Sequence, residues 1–191
     1  FPSGFTTKAL LYFVSPRQVN YYLPYINSTS PYEGPVDISI QNANGVVFKS
    51  SALITRVAPA FFSADSTGQG TVAAVAQRIK ADGTNSYESV ALYNPVSGKA
   101  TPVPVDLGPE TDRVFLDIFG TGIRNRKSLG DVTAKVGGID AQVVYAGPQN
   151  QFEGVDQVNI LLPRGLAGRG EVTVEIFVEG QAANVLKVTI R

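Results

Sequence analysis

The feature that most constrains the fold is a segment that occurs twice. Residues 18–24 and 157–163 share the pattern Gln-Val-Asn-x-x-Leu-Pro. The positions that carry this motif are Gln18, Val19, Asn20 and Pro24 in the first copy and Gln157, Val158, Asn159 and Pro163 in the second. Similar apolar segments flank each copy in the same order, at 9–12 and 34–40 around the first and at 142–145 and 170–176 around the second. We therefore expect one structural unit to be present twice.

The repeated segments have the alternating pattern of half-buried β-strands. Val172, Val174 and Ile176 occupy every second position, with Thr173 and Glu175 between them, and β-branched residues favour strands. Glycine and asparagine at 44–45 and 180 suit the tight turns of hairpins. The sequence therefore predicts an all-β chain that forms an antiparallel β-sandwich.

One segment is ambiguous between helix and strand. Val72, Val75, Ala76 and Ile79 fall at helical spacing, and Gly83 is placed to end either element. We predict a strand there, in keeping with the rest of the chain.

The second copy is preceded by strands that the first copy lacks. Residues 113–119 and 132–136 read as strands, whereas only seven residues precede Lys8. Copy one is thus shorter by about 30 residues, and four strands alone cannot close a sandwich. The expected division is a partial module at 1–57, a connecting segment with strands at 58–111 packed on the second module, and a full module at 112–191.

Two explanations for the shorter copy stay open. Either the polypeptide has been cut inside a domain, or a strand arrives from the other domain or from a neighbouring chain. The chain begins with Phe1 and contains no methionine, so we expect that a segment has been removed upstream.

A series of ordered motifs adds a family resemblance. Its pieces in the second half are 106–112, 119–124, 136–138, 145–147, 156–159 and 166–172, and in the first half 15–20 and 58–62. Together they resemble the Solibacter-type uncharacterised C-terminal domain family. The resemblance implies two immunoglobulin-like modules, the first lacking its N-terminal strands, in a large secreted or surface protein of a soil bacterium. It implies no activity and no cofactor.

Composition argues against the common enzyme mechanisms. The chain has no cysteine and no histidine, so it offers no thiol nucleophile, no Ser-His-Asp triad and no imidazole ligand for a metal. Sixteen basic residues balance sixteen acidic ones, which gives little electrostatic support for nucleic-acid binding. No apolar run approaches the roughly 20 residues of a membrane-spanning helix. We expect no enzyme, no nucleic-acid partner and no membrane span.

Two clusters of charged residues are candidates for a calcium site and for a DNA-binding loop. Asp65, Glu110 and Asp112 are calcium-ligand candidates if the fold brings them together, but scattered acidic surface residues are the commoner case, so we expect no metal. Arg124 belongs to a basic loop that also contains Arg126 and Lys127; a solvated loop is favoured there over a DNA-binding one.

The aromatic residues give the main hint of function. Eight of them lie within the first 32 positions, and the interface or ligand-contact candidates are Tyr12, Tyr21, Tyr22 and Tyr25. Tyrosine buries a large area and keeps a polar tip, which suits an interface or stacking on sugar rings. Packing of a core is the alternative.

The functional prediction is a non-catalytic structural component of an extracellular or cell-surface protein or fibre. It would assemble through edge-strand pairing and the aromatic face, with another protein as partner by self-association or strand complementation. The alternative is a carbohydrate-binding accessory module of a secreted hydrolase, with a glycan as ligand.

Overall fold

The computed structural model describes residues 6–16, 18–23 and 33–191. These residues form an all-β structure of antiparallel sheets, which confirms the predicted class. The helical structure among them amounts to two 3-10 turns, Leu129–Asp131 and Arg164–Leu166, and none of it could span a membrane. The chain divides into two compact units, residues 1–56 and 57–191.

The first unit contains two separate hairpins in its described part. One joins β1 to β2 and the other joins β3 to β4, each pair antiparallel. The strands are β1 Leu10–Ser15, β2 Gln18–Tyr22, β3 Gly34–Gln41 and β4 Val47–Ile54. The predicted Asn-Gly turn is present, since Gly45 adopts a positive φ of 80° and the Asn42 side chain accepts hydrogen bonds from the main chain of Asn44 and Val46.

The second unit is built on a ten-stranded sheet with the order β15-β14-β11-β12-β13-β10-β6-β7, to which β16 and β5 add by pairing with β14 and β10. β8 and β9 form a hairpin of their own. The strands are β5 Ala60–Phe61, β6 Ala74–Ile79, β7 Asn85–Ser89, β8 Ala91–Asn94, β9 Lys99–Pro102, β10 Arg113–Thr121, β11 Val132–Val136, β12 Ile139–Pro148, β13 Asp156–Leu161, β14 Gly170–Val178, β15 Gln181–Ala182 and β16 Leu186–Ile190.

The segment of ambiguous spacing is a strand, as predicted. β6 pairs with β10 on one side and with β7 on the other. Val105 also bridges to Ile190. Segment 58–111 therefore shares its hydrogen bonding and its core with the strands after residue 112, and the compact unit begins at Val57.

Strand β12 joins the two halves of the second unit. Its first residues pair with β11, and from Gln142 onward it pairs with β13. Apolar side chains from both halves then meet in one core. The largest fully buried members include Leu116, Ile118, Ile160, Val158, Val136, Val178, Leu186 and Ile190. Burying one such side chain contributes about 1.5–3 kcal/mol, so this unit carries a substantial core of its own.

The first copy of the motif lies in a ladder with one irregularity. Leu11 pairs with Tyr21 and Phe13 pairs with Asn20, so Tyr12 is an extra residue that bulges out of the ladder.

The second copy has the same irregularity at the same place. Val143 pairs with Ile160 and Tyr145 pairs with Asn159, which leaves Val144 as the extra residue. Residue by residue, β1 and β2 therefore correspond to β12 and β13.

The following hairpins also match. Gly34 pairs with Ile54 in the first unit, and Gly170 pairs with Ile190 in the second. The correspondence of β3 and β4 with β14 and β16 starts from the same glycine in each copy. The structure thus supports the repeat across four strands.

The two copies differ in the neighbours of these strands. In the second unit β13 lies between β12 and β10, and β11 joins β12 to β14. Within the described part of the first unit, β2 pairs only with β1, and no strand joins β1 to β3. The described residues of the first unit thus form the ladder of the second unit without counterparts of β10 and β11.

Candidate interaction surface

Strand β1 presents a continuous apolar surface to solvent. All five of its residues from 10 to 14 are large, apolar or aromatic, and about half exposed or more. We call this set the β1 apolar surface; its members are Leu10, Leu11, Tyr12, Phe13 and Val14. Because successive side chains of a strand point to opposite faces, the exposure affects both faces of β1.

Two corresponding positions of the second unit are buried where those of the first unit are exposed. Val14 is 63% exposed, whereas its counterpart Ala146 is completely buried. On the other hairpin Ile40 is 39% exposed and its counterpart Ile176 only 3%. These two positions of the repeat are therefore core in the second unit and surface in the first.

Of the predicted contact tyrosines, the structure describes three. Tyr12 is exposed at the bulge of β1, whereas Tyr21 and Tyr22 on β2 are half-buried. Tyr25 and the motif residue Pro24 lie outside the described residues. The more exposed side chains belong to β1, so the surface lies mainly one strand away from the predicted tyrosine pair.

The repeat motif forms the same side-chain hydrogen bond in both copies. The amide of Gln18 donates to Asn20 Oδ1 at 2.7 Å, and that of Gln157 donates to Asn159 Oδ1 at 2.7 Å. Residues two apart on a strand lie on the same face, which explains the Gln-x-Asn spacing. The bond therefore joins two polar side chains on one face of each strand.

In the second unit the strand that lies beside Asn159 on one side is β10. Asp117 pairs with Asn159 across the ladder, and the flanking position Ile118 pairs with Val158. On the other side of β10, Val75 of β6 lies opposite the same aspartate.

Asp117 is the most perturbed acid of the described residues. Its side chain is 5% exposed, and among these residues its Oδ1 has no hydrogen-bond partner. Burial raises the pKa of this carboxyl to about 6. Sequence reasoning missed it, although a single carboxylate inside the apolar run 114–119 is a visible signal.

The basic loop is not simply solvated, which corrects the sequence interpretation for Arg124. Its guanidinium Nε lies 2.6 Å from Asp156 Oδ1, and Asp156 is almost fully buried. The same carboxylate accepts main-chain hydrogen bonds from Ile123 and Arg124. Asp156 therefore holds the loop after β10 against the start of β13.

Two of the three calcium-ligand candidates, Asp65 and Asp112, have hydrogen-bonding partners of their own. Asp65 accepts hydrogen bonds from Ser63 and Thr67, which lower its pKa, while Asp112 pairs with Arg78 at 3.2 Å. Glu110 is exposed. The described residues contain no group of three acids placed to hold a metal ion, so the geometry gives no support to a shared calcium site.

Comparisons of the chain with protein-family models, with curated proteins and with solved structures find no match. The resemblance to the Solibacter-type family thus stays a prediction.

Proposed function

We propose that this chain is a non-catalytic structural component of an extracellular or cell-surface protein or fibre. It consists of two immunoglobulin-like sandwich modules, of which the first is incomplete. It assembles when another polypeptide pairs with the open edge of β2 and covers the β1 apolar surface.

One observation carries this proposal. Two hairpins with matching registers occur twice, but Val14 and Ile40 are exposed in the first unit where their counterparts Ala146 and Ile176 are buried in the second. A contiguous exposed apolar patch marks an interaction site, and an edge strand is a template for pairing with another chain.

The buried acids support a structural role. Asp112 and Asp156 are both engaged by arginines, and Asp117 lies alone between an asparagine and a valine. A glycosidase needs two carboxylates facing one another across a cleft. The arginine contacts account for Asp112 and Asp156, and Asp117 has no second carboxylate opposite it in the ladder.

Leu11→Lys is expected to weaken assembly. A charge in the middle of the β1 apolar surface opposes burial of that strand. We expect the wild-type chain to self-associate with increasing concentration in sedimentation velocity experiments, and the variant to remain monomeric over the same range.

Leu92→Lys is the matched control, because Leu92 is an equally exposed leucine of the second unit. It should self-associate like the wild type. A wild-type chain that stays monomeric at all concentrations, or equal behaviour of the two lysine variants, would count against the proposal. Binding to a glycan array that is lost in Tyr12→Ala would favour the carbohydrate-binding alternative.

A further inference from the structure

The second unit shows how the shared ladder is completed. β10 runs antiparallel to β13 on the side away from β12, and β11 runs antiparallel to both β12 and β14. These two strands are consecutive in the chain, connected through residues 122–131. One strand–loop–strand segment therefore covers an edge and joins two hairpins.

Transfer of this register to the first unit specifies which positions meet. Leu116 pairs with Ile160, whose counterpart is Tyr21, and Ile118 pairs with Val158, whose counterpart is Val19. A strand that takes the place of β10 beside β2 must carry apolar residues at these two alternate positions, because they face the core side of the ladder.

The position between them is polar in both units. Asn159 faces Asp117 across the ladder, and Asn20 is held in the same way as Asn159 by the glutamine of its motif. A polar side chain is thus expected opposite Asn20, between the two apolar residues.

The second strand must fit between the hairpins. In the second unit Ala134 pairs with Ala141 and with Ile176, whose counterparts are Ala9 and Ile40. A strand in the place of β11 would join residues 7–9, directly before β1, to β3 and lie beside the exposed Ile40. A small or apolar residue is expected at the position of Ala134.

We infer that the first unit accepts a strand–loop–strand segment of a partner polypeptide with the pattern of β10 and β11. Its first strand pairs antiparallel with β2, and its second strand pairs with β3 and with residues 7–9, directly before β1. This inference rests on the proposed function and names the partner chemistry that the proposed function leaves open.

A second copy of this chain is a poor donor of that segment. Its own β10 and β11 are already in use, since Leu116, Ile118 and Val136 are completely buried in the second unit. Their transfer to another molecule would uncover as much core as it covers. The occupant that completes the ladder is therefore a separate segment of the same chemistry, whereas self-association of the chain alone buries only the β1 apolar surface.

The test uses a synthetic peptide with the sequence of residues 112–136 and the full 191-residue chain. We expect the peptide to bind with one-to-one stoichiometry and to abolish self-association. Amide hydrogen exchange at Val19, Tyr21 and Ser39 should slow by at least about tenfold, because open strand edges exchange readily and paired ones do not. Ser39 is the counterpart of Glu175, which pairs with Lys135 of β11. A peptide with Leu116→Asp and Ile118→Asp is the matched control and should change neither property.

A second arm avoids dependence on peptide solubility. A copy of residues 112–136 is fused directly before residue 5, which reproduces the spacing between β11 and β12. We expect this fusion to be monomeric and protected at the same three amides.

Two results would overturn the inference. If neither peptide nor fusion slows exchange while self-association still depends on Leu11, the proposed function stands and the assigned partner chemistry is wrong. If the chain alone forms a dimer with protected β2 amides that the peptide does not disrupt, a second copy is the occupant.

Discussion

Asp156→Ala is expected to destabilise the second unit by about 3–5 kcal/mol, the usual effect of removing one partner of a buried ion pair. The carboxylate is 1% exposed and neutralises Arg124. It also accepts main-chain hydrogen bonds from Ile123 and Arg124, which would be left unsatisfied in a dry environment. Urea unfolding followed by circular dichroism measures the loss.

Asp140→Ala is the control for this prediction. Asp140 also forms a short ion pair, with Lys135 at 2.6 Å, but its side chain is exposed. Exposed pairs contribute about 0–1 kcal/mol, so this variant should unfold close to the wild type. Equal losses in the two variants would show that Asp156 does not anchor the loop.

Asp117→Asn is expected to abolish a pH-dependent loss of stability of about 2–3 kcal/mol that the second unit undergoes between acid pH and pH 7. The folded-state pKa of about 6 lies roughly two units above the ordinary value of 3.8, and each unit corresponds to about 1.4 kcal/mol. The buried carboxylate must ionise at neutral pH, whereas an asparagine of the same shape stays neutral.

The sign of the pH dependence follows from the raised pKa. Below pH 3.8 the Asp117 carboxyl is protonated in both states, and the penalty is absent. Between 3.8 and about 6 only the unfolded state ionises, so stability falls with rising pH and reaches its full loss above 6. The asparagine variant should lack this fall.

Asp82→Asn removes a pH dependence of stability that has the opposite sign to that of Asp117. The side chain and main chain of Thr84 lower the pKa of Asp82 by hydrogen bonding. Its contribution to stability is therefore present above the ordinary pKa and lost as the pH falls through the lowered one. If the stability of Asp117→Asn fell between pH 3.8 and about 6 as much as that of the wild type, the burial account of the Asp117 pKa would be wrong.

Alternation and repetition predicted much of the fold. Val172, Val174 and Ile176 lie in a strand, and the two copies of the motif form the same ladder. Residues 72–79 show the limit of local pattern, because their spacing suits a helix. Their conformation depends on pairing with β7, the next strand along the chain, and with β10, which lies further away in the sequence.

The sequence predicted the candidate surface only in part. The early cluster of aromatics pointed to the right unit, but the exposure of Leu11 and Val14 depends on which strands lie beside them. The roles of Arg124 and Asp156 were missed because their contact joins positions 32 residues apart in the sequence. Pairings of that kind follow from the folded topology rather than from local composition.

Cross-strand nuclear Overhauser effects of the monomeric chain show directly whether the first unit repeats the ladder of the second. We expect contacts of Leu11 with Tyr21 and of Phe13 with Asn20, the register shared with the second unit. We also expect contacts from Ile118 to Val158 without any counterpart from this chain at Val19. A different register around Asn20, or a strand of this same chain paired beside Val19, would contradict this expectation.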